Sequence, residues 1–127
     1  MRALSTLLLI SCSQTQVVVG HELNGCEDYD PDNPPEESLN YQESDLLVEV
    51  FRNGVVQYCD SDFDPDISLE DKTILVREFW TDTEDDSCTT CFMPTVYLKD
   101  PDSGNYDVEW FLGDDQIPFD NIQFEVK

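Results

Sequence analysis

Tyr106-Asp107-Val108-Glu109-Trp110-Phe111-Leu112 decides the fold class. Tyr106, Val108, Trp110 and Leu112 share one parity while Asp107 and Glu109 share the other, the two-residue period of a strand with one wet face. Near the C-terminus Ile122, Phe124 and Val126 alternate with Asn121, Gln123 and Glu125 in the same way. Upstream, residues 73–81 and 92–99 are short apolar runs, the second followed by the turn chemistry of Asp100-Pro101-Asp102-Ser103-Gly104. Residues 46–52 and 55–59 flank Asn53-Gly54, the dipeptide that suits the two positive-φ positions of a type I′ turn. This predicts a hairpin with Phe51 opposite Val56 and Glu49 opposite Tyr58, apolar enough on both faces for an interior position.

No window of about a dozen residues sustains a helical period. The expectation is therefore an all-β chain folded as a small antiparallel β-sandwich of six to seven strands, the seventh coming from residues 16–19. The Trp110 strand and the turn residues Gly113-Asp114-Asp115 are compatible with an immunoglobulin-like topology.

The chain has 127 residues, long enough for one domain, and carries 29 Asp and Glu against 6 Lys and Arg. A formal net charge of −23 repels phosphate backbones and anionic headgroups, which argues against a nucleic-acid partner and against a membrane surface bound by charge. Aromatic and branched residues cluster in short runs, so order is expected in spite of that charge.

Met1-Arg2, an apolar stretch from residue 3 to 10, and polar Ser13-Gln14-Thr15-Gln16 have the layout of an export leader, too short to span a bilayer. Leu9-Ile10-Ser11-Cys12 resembles the bacterial lipobox, and the resemblance implies a lipid on Cys12 and a membrane-anchored protein. The rival is cleavage after Val18-Val19-Gly20, which would leave His21 first and the protein secreted. Residues 1–20 are thus an export signal, residues 21–44 an acidic, proline-rich tether or loop, and residues 45–127 the β-sandwich domain.

Cys26, Cys59, Cys88 and Cys91 remain after the leader, an even number in an oxidising compartment, which predicts two disulfides. Cys26 and Cys59 each precede an Asp-aromatic-Asp-Pro-Asp run, and that match suggests Cys26 joined to Cys59 and Cys88 to Cys91. A secreted thiol-disulfide protein using Cys88 and Cys91 is the alternative from another class.

The second run, Cys59-Asp60-Ser61-Asp62-Phe63-Asp64-Pro65-Asp66, continues to Asp71. Acids at the first, third, fifth, seventh and twelfth positions resemble a calcium loop of the EF-hand type, which implies Asp60, Asp62, Asp64, Asp66 and Asp71 as Ca²⁺ ligands. Pro65 stands where such loops need a residue that turns sharply, and the entering segment is a strand, so the helices of an EF-hand are not expected. Calcium is the only cofactor the sequence suggests.

Catalysis finds little support. The single histidine, His21, leaves a serine or cysteine nucleophile without a well-placed base and a copper site without a second imidazole. Nothing among the many acids singles out a hydrolytic pair. The sequence points instead to a binding or structural module with a protein or glycan partner, a small carbohydrate-binding module using Trp80, Tyr97 and Trp110 being one form of it.

Overall fold

The computed structural model describes residues 18–27, 29–33, 35–81 and 87–127. Within them the chain is all-β without helix, and its strands form two sheets packed as a sandwich. In chain order the strands are β1 (Val18–Gly25), β2 (Ser38–Ser44), β3 (Leu47–Asn53), β4 (Val55–Tyr58), β5 (Asp66–Glu70), β6 (Thr73–Glu78), β7 (Thr89–Lys99), β8 (Gly104–Leu112) and β9 (Asp120–Val126). Sheet one runs β1-β7-β3-β2, with β4 also on β7, and sheet two runs β5-β6-β8-β9.

Nine strands stand where six to seven were expected: β2 and β5 are additions, and β1 begins within the strand expected at residues 16–19 and runs on to Gly25. Each lies at a sheet edge, where backbone pairing to one neighbour suffices and side chains need no regular alternation. β2 buries only Leu39, which is why Ser38-Leu39-Asn40-Tyr41-Gln42-Glu43-Ser44 looks like loop in sequence. Strands β1 and β2 thus occupy much of the 21–44 segment expected to be a tether. Pairing is antiparallel except between β6 and β8, which run parallel because the chain crosses to sheet one through β7 before returning.

The hairpin expected at Asn53-Gly54 is not formed. β3 and β4 run along the same side of β7, Phe51 pairing with Thr95 and Val55 with Phe92. Three residues, 52–54, therefore face only 93 and 94, which is a β-bulge. The extra residue inverts the side-chain parity. Val48, Val50 and Arg52 point inward before it, while Val55 is buried and Val56 exposed after it. That inversion explains why both faces of residues 46–59 look apolar in sequence. Pro94, which has no N–H to donate, falls at this joint.

Gly54 is needed for approach rather than reversal. Its φ is +79°, and a Cβ there would lie 2.8 Å from the Pro35 carbonyl oxygen and 2.9 Å from that of Glu36. The actual two-residue reversal is Asp45-Leu46 between β2 and β3, with Ser44 opposite Leu47 and Leu46 at φ 58°.

The disulfides extend two of these ladders. Gly25 pairs with Phe92, so the next residue, Cys26, meets Cys91; Tyr58 pairs with Thr89, so Cys59 meets Cys88. The bonds are Cys26–Cys91 and Cys59–Cys88, with Cα separations of 5.3 and 5.4 Å. Four cysteines in two disulfides agree with expectation, and the predicted partners are corrected: the direction of β7, not the similarity of the flanking motifs, decides them.

Between the sheets Leu39, Val48, Val50, Val96 and Leu98 pack against Ile74, Val76, Tyr106, Val108, Trp110 and Phe124. Phe63, on the connection between sheets, is 3% exposed and stacks on Trp110 with ring centroids 6.2 Å apart.

Candidate cleft on the outer face of sheet one

Alternation in β3 sends Glu49, Phe51 and Asn53 away from the core. Beside them β7 presents Met93 and Thr95, β1 presents Asn24, and β2 presents Gln42. The chain between β1 and β2 rises over this face, and Cys26, Glu27 and Pro35 wall it in. Together these residues bound an open cleft of about 350 Å³.

Several constraints hold the wall. Cys26 is bonded to Cys91, and its N–H donates to the Cys91 carbonyl at 3.1 Å. The Asn33 N–H donates to the Asp30 carbonyl and the Asp32 N–H to Asp30 Oδ1, each at 3.0 Å, which curls the loop tip. The Pro35 and Glu36 carbonyls rest against Gly54.

On the cleft floor Asn24 Nδ2 donates to Thr95 Oγ1 at 3.2 Å, and Thr95 Oγ1 donates to the Met93 carbonyl at 3.0 Å. The side chains of Glu27, Gln42, Glu49 and Asn53 have no hydrogen-bond or ion-pair partner among the described residues. The cleft therefore offers carboxylates, amides and a phenyl ring in reach of one another, the mixture of apolar surface and a few polar groups that binding sites use.

The opposite face of the same strand holds the other concentration of charge. Arg52 points inward, and its Nε and Nη2 donate to Glu78 Oε1 and Oε2 at 2.7 and 2.8 Å, a two-pronged pair that bridges the sheets. Trp80 Nε1 donates to Glu78 Oε2 at 2.7 Å and Trp110 Nε1 to Oε1 at 2.8 Å. Arg52 Nη1 also pairs with Glu37, and the guanidinium lies 4.9 Å from the centroid of the Phe119 ring.

Burial is the largest influence on the Glu78 carboxyl and by itself would raise its pKa. The Arg52 hydrogen bonds and charge, with the two indole N–H groups, outweigh it and hold the carboxyl below its ordinary value. Burial likewise opposes the charge on Arg52, and Glu78 with Glu37 more than restores it. With four donors on its two oxygens, Glu78 is a structural tie between sheets and is not set up to exchange a proton with a substrate.

The acids assigned to calcium are spread along an extended segment. Phe63 forms a bridge with Trp80, the Asp64 N–H donates to the Phe79 carbonyl and the Thr81 N–H to the Asp62 carbonyl. In this extended run Ser61 and Phe63 are buried while Asp60, Asp62, Asp64 and Asp66 are exposed, so the two-residue spacing of the acids is strand alternation. Asp62 Oδ1 accepts from the N–H of Phe63. Asp66 opens β5 and Asp71 follows its last residue, Glu70, about 16 Å away at a strand's rise, whereas ligands of one Ca²⁺ sit at about 2.4 Å from it. Among the described residues no group of three or more His, Cys, Asp or Glu side chains gathers in a metal-binding arrangement.

Cys12 lies outside the described residues. Trp80, Tyr97 and Trp110 do not form one exposed platform: Trp110 is fully buried, Trp80 is bound to Glu78 beside it, and Tyr97 is on the outer face of sheet one. His21 meets Phe63 edge-on with centroids 5.7 Å apart. Comparison with protein-family models, curated proteins and solved structures finds no match.

From sequence none of the cleft residues is assigned to binding; Cys26 is assigned to a disulfide, and Glu49, Phe51 and Asn53 to the hairpin expected at Asn53-Gly54. The available signal was the outward row Glu49, Phe51, Asn53, an aromatic flanked by polar residues on the face opposite Val48 and Val50. The Arg52–Glu78 tie carried a clearer one, since Arg52 shares parity with Val48 and Val50, and Glu78 with Ile74 and Val76.

Proposed function

We propose that the protein is an extracytoplasmic binding module, held at a membrane through lipid on Cys12, with the outer-face cleft as its binding site. The carrying observation is the cleft itself: a walled depression of about 350 Å³ in which the amides of Gln42 and Asn53 and the carboxylates of Glu27 and Glu49 lack partners among the described residues. Two disulfides are what a protein folded in an oxidising compartment uses. Among the described residues no helix is long and apolar enough to cross a membrane.

The test is a titration of nitrogen-15-labelled protein with maltose, inorganic phosphate and an arginine-containing tripeptide amide. At least one should shift the side-chain amide signals of Asn24, Gln42 and Asn53. If none does, the cleft is not a small-ligand site and the proposal falls.

The anchor is supported by β1. Cleavage after Gly20 would remove Val18, Val19 and Gly20 from a strand paired with β7 through Gly25. Val19 packs against the core, and a Cβ on Gly20 would lie 2.4 Å from the Tyr97 ring, so a small residue at position 20 has a structural use besides cleavage. Intact mass of the exported protein should give a diacylglyceryl cysteine at Cys12 as the first residue; a chain beginning with His21 would overturn the anchor.

A further inference from the structure

We infer that the cleft receives a cationic side chain, the ammonium of lysine or the guanidinium of arginine, presented on an extended segment of a partner protein. This rests on the cleft being a binding site and adds what enters it.

Both ionisable groups in the lining, Glu27 and Glu49, are carboxylates, and neither has an ion-pair partner among the described residues. No described cation of the chain is paired with either of them. Arg52 is held by Glu78 and Glu37. Arg77 donates to the Gly113 and Asp115 carbonyls and lies 4.4 Å from the Phe111 ring centroid. Lys72 lies 5.9 Å from the Tyr106 ring and Lys99 5.6 Å from the Tyr97 ring, while Lys127 faces Glu125 at the C-terminus. Neutralisation of the cleft therefore comes from outside, and a net charge of −23 draws cations toward it and repels anions.

The rest of the lining suits an organic cation on a peptide. Phe51 lines the cleft two residues along β3 from Glu49, and the chain uses the pairing of a cation with an aromatic ring at four other places. Met93 and Pro35 can cover the aliphatic stem of a long side chain. The amides of Asn24, Gln42 and Asn53 can accept from N–H groups and donate to backbone carbonyls, so they meet the main chain on either side of the basic residue. A volume of about 350 Å³ holds one such side chain with its flanking backbone, and too little for a folded surface to enter.

The probes are acetyl-Gly-Arg-Gly-amide and acetyl-Gly-Lys-Gly-amide, with the norleucine peptide as the uncharged match and spermidine as a free amine, each titrated against the labelled protein. Both basic peptides should shift the Asn24, Gln42 and Asn53 amide signals and the norleucine peptide should not. Glu49→Gln and Glu27→Gln should each weaken binding by on the order of tenfold, as loss of a charge-assisted contact does. Phe51→Leu should weaken it several-fold, roughly the scale of an exposed cation–ring contact, and Glu70→Gln on β5 should leave it unchanged.

Equal binding of the norleucine peptide, or unchanged affinity in both glutamine variants, overturns the cationic ligand while leaving the cleft as a site for a neutral one. Spermidine binding as tightly as the peptides overturns the protein segment in favour of a free amine. Silence of these signals toward every probe, maltose and phosphate included, removes the binding site itself.

Discussion

Strand β3 carries charge on both faces, and the two faces treat it in opposite ways. Inward, Arg52 meets Glu37, the Phe119 ring and Glu78, whose carboxylate also accepts from two indoles. Outward, three residues earlier, Glu49 stands over the cleft with no partner among the described residues. A buried charge without compensation costs several kcal/mol, so the interior position is tolerated only with every oxygen occupied. At the partly exposed outer position water performs the same service at little cost, which leaves the carboxylate free to exchange water for a ligand. Geometry assigns one charge to architecture and the other to recognition, although sequence distance between them is trivial.

The comparison breaks first at its inner side. Glu78→Ala should cost about 3–5 kcal/mol in chemical denaturation, because it leaves Arg52 with only the largely exposed Glu37 and the indole N–H groups of Trp80 and Trp110 without acceptors. Arg52→Met combined with Glu78→Leu should cost less than Glu78→Ala, since no lone charge remains, though Trp80 and Trp110 still lose their acceptor. A loss below about 1 kcal/mol for Glu78→Ala would mean that the tie is not buried and paired as described.

Acidity sharpens the same contrast. The folded-state value of Glu78 lies below its ordinary one, so its contribution is complete above the unfolded value and fades as pH falls through the folded one. The stability gap between wild type and Glu78→Gln should therefore be constant near neutrality and shrink below about pH 4.3. A gap that widened with acid would contradict the sign. On the outer side Glu49→Gln should change stability by no more than about 0.5 kcal/mol; a loss above about 1 kcal/mol would show that Glu49 serves the fold.

How much of this was legible depended on where each side chain ended up. β8 and β9 alternate because one face meets the core and the other water, so Trp110, Phe124 and their neighbours declared the fold class. β2 and β5 were hidden because an edge strand can be polar almost throughout, as Ser38 to Ser44 is. Asn53-Gly54 carries the residues of a reversal, yet a positive φ at glycine serves a bulge equally well, and only the nearness of Pro35 and Glu36 tells the two apart.

The two acidic near-repeats diverge for a similar reason. Phe63 is buried against Trp80 and Trp110, which stretches the second repeat along sheet two, while Tyr29 remains only partly covered in the loop leading to the cleft wall. Sequence alone showed their likeness and could not weigh those environments. The cleft itself was illegible because it is assembled from four strands and a loop, whose register no local pattern encodes.

The Cys26–Cys91 bond has a mechanical consequence. Tension arriving from the chain ahead of Val18 is first carried by the eight registered pairs of β1 on β7 and then meets a covalent rivet one residue past the last of them. Peeling can proceed along β1 but stops at Cys26, so a pull that strips the edge of sheet one is passed to β7, the strand flanked by β1 on one side and by β3 and β4 on the other. The wall of the cleft begins at that rivet and continues beyond it through Glu27 and Pro35, sheltered from the load.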